Sequence, residues 1–405
     1  MPTCPHHIDL VDPDIYQQAV PNHFLKQLRA EAPLCWYEDN TTGVGFWAVT
    51  KYEDLEYISK HPLLFSSAER SCLMREMDDE AVAAQRLMMI NMDPPEHLEN
   101  RRIVNKAFIP KVIESKLDNL QDIAKGIVDK VAARGECEFV REIATDLPLI
   151  VICELMGVKK QDRQMIFDCT NTMVFADDPD MSTSEEDGQL AAAQIYAYGM
   201  TLLEEHRQNP SDSLTGILVD SVDGDALSED EFCSFFLILL VAGNETTRTV
   251  TVNGMRLLME HPDQLQAIVD DMSLLPNAVE EMLRHQPAVI QFRRTAMQDV
   301  EVSGQLIKKG DKIILFYPSA NRDEALFADS DRFDIRRENA NLHRSFGIGE
   351  HFCLGSHLAR LELNVIFKEV LTRLKNPTFA GPVKRLRSNF INGIKEMPIT
   401  FDPEV

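Results

Sequence analysis

The sequence predicts a predominantly helical protein with small β-sheets. Three observations carry that expectation. A capping-box tetrad, Ser228-Glu229-Asp230-Glu231, opens a helical pattern that runs to Glu260, with Pro262 just beyond. Most other periodic stretches also repeat at helical spacing, while the alternating ones are only a few residues long. No Gly-Pro-Ser linker, internal repeat or low-complexity segment divides the chain. The length of 405 residues alone suggests two or three domains. The missing linkers favour one compact unit over residues 1–405.

In order, residues 1–33 read as loop and a short helix from about Pro21 to Glu31. Leu34–Tyr37 and Gly45–Thr50 read as strands around a glycine-bearing turn, and Lys51–Lys60 as a helix stopped by Pro62. Residues 66–91 read as irregular and rich in methionine (Met74, Met77, Met88, Met89), which suits an adaptable apolar wall. A helix with prolines in its first turn follows Asp93. Residues 112–134 form an amphipathic helix ending near Gly135, and Glu138–Val140 a strand. Leu147–Leu155 and Asp162–Val174 read as helices. The acidic stretch from Asp177 to Gly188 reads as a mobile lid loop before a helix from Leu190 to Gln208. Pro276 starts another helix, Pro287–Phe292 is extended, and Val300–Val302, Gln305–Ile307 and Lys312–Tyr317 alternate like strands. Ser388–Gly393 reads as a strand and turn.

Two stretches break the local rules. Ten residues, Phe346 to Gly355, hold three glycines around Cys353, just before a helical pattern (Leu358, Ala359, Leu361, Val365, Ile366). Glycine there permits positive φ and close backbone approach to something flat. A helix N-terminus favours a thiolate, which can serve as nucleophile, redox thiol or metal ligand. In mid-helix, Ala242-Gly243-Asn244-Glu245-Thr246-Thr247 is followed by further β-branched residues, all poor helix formers. Such violations often mark function. The Thr246 hydroxyl can bond the Ala242 carbonyl or a ligand. Elsewhere, His97 and Arg101 share one helix face and suit two carboxylates, and Glu281 and Arg284 are three apart on another.

The pattern F-G-x-G-x-H-x-C-x-G over Phe346–Gly355 resembles the heme-binding loop of cytochrome P450, and A-G-x-E-T-T over Ala242–Thr247 resembles its oxygen-binding segment. The resemblance covers nearly the whole chain, with motifs in family order. It implies the cytochrome P450 fold and heme b, iron protoporphyrin IX, held by Cys353 as axial thiolate. Phe346, Gly347, His351, Gly355 and Ala242 would contact the heme. His97, Arg101, Arg294 (in the family's R-x-A) and His351 would meet its propionates. Glu245 and Thr246 would be the acid–alcohol pair that handles protons and water where O2 is activated. Glu281, Arg284 and Arg337 would form a structural network. Substrate contacts expected from position are Met88, Met89, Val241, Val289, Ile290, Phe292 and Ile391.

The implied activity is a soluble monooxygenase that hydroxylates an apolar small molecule. Electrons would come from a separate ferredoxin with its reductase. The stretches Val241–Arg248 and Arg387–Lys395 are similar to those of members that hydroxylate steroids and methyl-branched lipids, and also to terpenoid oxidisers. An aromatic hydroxylase, a peroxide-driven peroxygenase, a non-catalytic heme carrier or sensor and a cysteine hydrolase are the other readings. Net charge of −24 argues against nucleic acid and anionic membrane. Arg102, Lys106, Arg344 and Arg360 are candidate cations for docking an acidic partner. Eight scattered cysteines without C-x-x-C spacing fit reduced thiols in a cytoplasm. The N-terminus (Met1-Pro2-Thr3-Cys4-Pro5) shows no apolar h-region and no 18-residue apolar run follows, so neither a signal peptide nor a membrane anchor is expected.

Overall fold

The computed structural model describes residues 3–4, 8–39, 41–106, 108–175, 178–180, 184–210, 214–224 and 226–404. The helix from Glu229 to Glu260 is its axis. Its 32 residues span about 48 Å at 1.5 Å per residue. The capping box is present in full: Glu231 N–H donates to Ser228 Oγ at 3.2 Å, and Ser228 N–H to the Glu231 carboxylate at 2.8 Å. The helix is apolar nearly all round because others cover it. Asp146–Leu155, Arg163–Val174, Glu185–Gln208, Leu275–His285 and Ser356–Arg373 all pack against it.

To one side stands a five-stranded sheet, in the order Leu34–Tyr37, Phe46–Val49, Lys312–Phe316, Gln291–Ala296, Phe65–Ser66. The period of two decides its layers. Ile314 and Phe316 face the N-terminal segment with Leu10, Tyr16, Leu25 and Leu28. Ile313 and Leu315 face Leu55, Ile58 and Trp47 on the other side. Three smaller sheets complete the fold, one joining Glu136–Glu138 through Pro398–Asp402 to Lys375–Phe379.

Several expectations need correction. Residues 66–91 contain a helix, Asp79–Gln85, capped by Asp78, and a 3-10 turn at Met89–Asn91. Pro94 and Pro95 stand before the Glu96–Asn105 helix rather than in its first turn. The single helix expected over 112–134 is two, Pro110–Glu114 and Leu117–Asp129. The strand lies at Glu136–Glu138, and Val140–Ala144 is a π turn instead. Leu214–Asp223 and Pro262–Asp270 are further helices. Ser388–Gly393 is no strand; Ile391 alone bridges to Val289. The lid expected at 177–188 falls partly on residues 177 and 181–183, which lie outside the described residues. Its last part is helix, starting at Glu185, and Asp178 is fully buried.

The cysteines are not all reduced. Cys4 and Cys35 form a disulfide. The start of the chain runs beside the first strand: Thr3 bridges Trp36, and Cys4 N–H donates to the Trp36 carbonyl at 2.9 Å. That pairing brings the two Cα atoms to 5.1 Å. No helix among the described residues is long and apolar enough to cross a membrane.

Candidate active site

The sequence sends the chain from Phe346 into a turn that presents Cys353 and then becomes the Ser356–Arg373 helix. Cys353 N–H donates to the Phe346 carbonyl at 2.8 Å, which closes the loop. Gly349 has φ +74°, and a Cβ there would meet the Ser59 carbonyl at 2.6 Å. The loop therefore leans directly on the end of the Tyr52–Lys60 helix, and only glycine fits. Phe346 packs under the Arg360 guanidinium at 4.5 Å and beside Phe352.

Cys353 opens into a cavity of about 250 Å³ between the loop and the central helix. Burial pushes its thiol up, against the Gly355 N–H, Arg101 and Arg360, which pull it down. A free nucleophile needs the opposite balance, so the helix N-terminus alone does not make this thiol reactive. A thiolate neutralised by a metal suits the place. No cluster of three or more His, Cys, Asp or Glu among the described residues holds a metal by itself.

Four donors gather at the loop end of the cavity: His97, Arg101, Arg294 and His351 all line it. The His97 and His351 rings lie 4.3 Å apart, and burial depresses both, His97 to about 4. His97 Nδ1 is buried without a hydrogen-bond partner. Arg294 is buried, donates to the Arg293 carbonyl, and meets no carboxylate among the described residues. Arg101 donates to the Glu350 and Phe352 carbonyls and likewise lacks a carboxylate. Beside them, a Cβ on Gly355 would meet nothing within 4 Å. A half-buried thiol, cations without a carboxylate and an open flat face together fit an anionic, iron-bearing macrocycle.

The central helix roofs the site. Ile238, Leu239, Ala242, Gly243, Thr246, Thr247 and Val250 face the cavity, one stripe at helical spacing. Thr246 Oγ1 donates to the Ala242 carbonyl at 2.9 Å. At Gly243 the helix is thinned, because a Cβ would meet Ile152 Cγ1 at 2.8 Å. Glu245 points away from the cavity. It is buried, pairs with Arg248 and accepts from Thr249 Oγ1 at 3.1 Å. Burial pushes its carboxyl up to about 7, against the pull of Arg248.

Of the expected substrate contacts, Met89, Val289 and Phe292 line the cavity. Met88, Val241, Ile290 and Ile391 do not. Ile290 follows Val289 in extended chain, so it turns to the opposite side and packs with Ile314 and Phe316. Ile391 packs with Phe175 and Leu386. Val241 lies off the helical stripe that faces the cavity. Phe346, Gly347 and Gly355 also line the cavity. Glu281 and Arg284 are wholly buried and ion-paired, and Arg337 Nε joins Glu281 at 3.2 Å. Of the docking cations, Arg344 already pairs with Glu56 and Arg360 with Glu280; Arg102 and Lys106 are exposed.

Glu362 is the charged lining residue, among the described residues, that sequence reasoning missed, along with apolar ones such as Ile152, Ile238 and Leu239. It is buried in the Ser356–Arg373 helix, and burial pushes it up to about 8, with the Thr247 hydroxyl pulling it down. The signal was present: Glu362 interrupts the apolar series Leu358, Glu362, Ile366 at i, i+4 spacing.

A mainly helical fold that opens a half-buried cysteine onto a donor-ringed cavity beneath a thinned central helix is an arrangement that a heme-thiolate protein would need. The cytochrome P450 family model matches residues 66–380. A steroid C26-monooxygenase of Rhodococcus jostii (strain RHA1) is 37% identical over 99% of this chain and 86% of its own length. A methyl-branched lipid omega-hydroxylase of Mycobacterium tuberculosis (strain ATCC 25618 / H37Rv) is 40% identical over 92% of this chain and 89% of its own. The solved structure of Mycobacterium marinum cytochrome P450 CYP268A2 in complex with pseudoionone superposes with a TM-score of 0.91, at 33% identity, covering 99% of each chain. The chain belongs to the cytochrome P450 family, and it is a P450 monooxygenase, an oxidoreductase that uses heme, O2 and a redox partner.

Proposed function

We propose that residues 1–405 work as one unit that hydroxylates a steroid or a methyl-branched lipid. The observation that carries this reading is the cavity: a thiol and four donors at one end, an almost wholly apolar wall at the other. Heme b bound there supplies activation of O2, with Cys353 as its thiolate ligand. His97, Arg101, Arg294 and His351 hold its two carboxylates. Ile152, Ile238, Leu239, Val289 and Phe292 orient an apolar substrate and exclude water. Thr246 holds a water at the roof, and Glu245 connects that water to a proton supply.

A ferredoxin with its reductase delivers the electrons, and Arg102 and Lys106 are the exposed cations that suit an acidic partner. The six free cysteines support a cytoplasmic enzyme, whereas the Cys4–Cys35 disulfide argues against that compartment. The relative that holds pseudoionone favours a second reading, a branched terpenoid substrate.

Carbon monoxide added to the reduced protein tests the assignment. The Soret band moves to the long-wavelength position of thiolate-ligated heme, and Cys353→Ser abolishes that position. If Cys353→Ser leaves it in place, the assignment is wrong. A panel of steroids, branched lipids, terpenoids and fatty acids, read by the heme spin-state change, separates the substrate readings.

A further inference from the structure

Arg248 lies one turn after Glu245 on the central helix. Its side chain is 8% exposed and that of Glu245 6%. The two form an ion pair, while Thr249 holds the other carboxylate oxygen. The Arg248 guanidinium also lies 5.8 Å from the ring centre of Phe167 and 5.1 Å from that of Phe175. Phe167 is on the Arg163–Val174 helix, and Phe175 is the residue that caps it. Phe175 packs in turn on Leu386 and Ile391. Beyond it, the buried Asp178 accepts from Arg387 N–H at 3.0 Å and pairs with Lys395 at 2.8 Å.

A desolvated guanidinium flanked by two aromatic faces and one carboxylate keeps its place only while all three stay. We propose that Arg248 is the positioning residue of Glu245: clamped by Phe167 and Phe175, it fixes the carboxylate's direction and charge. This rests on the reading of Glu245 as the acid of the site. The clamp ties the acid to the Arg163–Val174 helix, so a shift of that helix is felt at Glu245. Among the described residues, the other charged groups near this turn are Glu362, which meets Thr247 from the Ser356–Arg373 helix, and the Asp178–Lys395 pair. Neither touches Glu245. The Asp146–Leu155 helix presents Ile152 to the neighbouring turn.

The heme-loaded protein carries the test, as Glu245→Gln, Arg248→Gln, Arg248→Lys, Phe175→Leu and the Glu245→Gln/Arg248→Gln double variant. One readout is product formed per electron consumed. The other is independent of turnover: the infrared carboxyl C=O band titrated with pH and assigned by its loss in Glu245→Gln. Removing a cation disfavours the charged carboxylate, so Arg248→Gln shifts the Glu245 midpoint upward by about one pH unit or more. Phe175→Leu gives a smaller shift of the same sign, and Arg248→Lys restores part of it. In the double variant the coupling loss equals that of Glu245→Gln alone. If Arg248→Gln does not fold, Phe175→Leu and the double variant, which buries no lone charge, carry the test. Unchanged midpoints, or additive losses in the double variant, overturn the inference. If Glu245→Gln leaves coupling unchanged, the reading of Glu245 as the acid fails as well; an effect there with none at Arg248 overturns this inference alone.

Discussion

Glu362 places a carboxyl group on an otherwise apolar helix stripe, with only the Thr247 hydroxyl to meet it among the described residues. Its folded value, about 8, lies above the roughly 4.3 of an unfolded glutamate. Between those values the folded chain holds a proton that the unfolded chain has lost, so this residue's contribution falls as pH rises and levels off beyond the upper one. Melting temperatures of wild type and Glu362→Gln, compared from about pH 5 to about pH 9, should therefore diverge with rising pH in favour of the variant and then run parallel. A constant gap would refute the buried-acid description. At this scale the motif positions were legible, because Cys353, His351, Ala242 and Thr246 sit at fixed spacings in loops or helices that the local sequence determines. Ile290 and Val241 were not. Alternation shows that Val289 and Ile290 face opposite ways, but which one faces the cavity depends on what packs behind the strand.

Among the elements, the end of the Arg163–Val174 helix is held by charge as well as by packing. Asp178 has no exposure, yet Lys395 meets it from the Ile394–Glu396 strand and also reaches Asp180 at 2.7 Å. Lys395→Met leaves a covered carboxylate without its cation, a loss on the order of 3 kcal/mol. Hydrogen exchange of residues 175, 178–180 and 386–396 should accelerate, with a weaker spin-state response to apolar ligands. Protection equal to wild type would show that packing of Phe175 alone holds the segment. Nothing local announces this pairing, since its partners are more than two hundred residues apart. The long central helix was legible because its cap is in the sequence. The break between Glu114 and Leu117 was not, because continuous amphipathic spacing hides a one-turn interruption.

At the scale of the whole molecule, the fold class was readable from helical periodicity and the motif order, but the closure of the N-terminus was not. The Cys4–Cys35 bridge spans 31 residues and pins the chain start to the edge of the five-stranded sheet. A loop of that length is worth roughly 3–4 kcal/mol in the chain-entropy view. A reductant, or Cys4→Ser, should lower the melting temperature while leaving the carbon monoxide spectrum unchanged, because the bridge lies apart from the cavity lining. Alkylation before and after reduction, read by mass spectrometry, checks that the bridge exists.

The buried Glu281–Arg284–Arg337 knot has a consequence in time. Arg284 also donates to the Asn321, Ser330 and Arg332 carbonyls, and Ser345 reaches back to the Leu283 carbonyl at 2.7 Å. The ground beneath Cys353 is thus built from residues translated just before it, whereas the Pro398–Asp402 strand that closes on Glu136–Glu138 is translated after it. Because the cavity lining runs from Ser59 to Leu363, a nascent chain emerging from the ribosome cannot complete that lining until most of the chain has been synthesised.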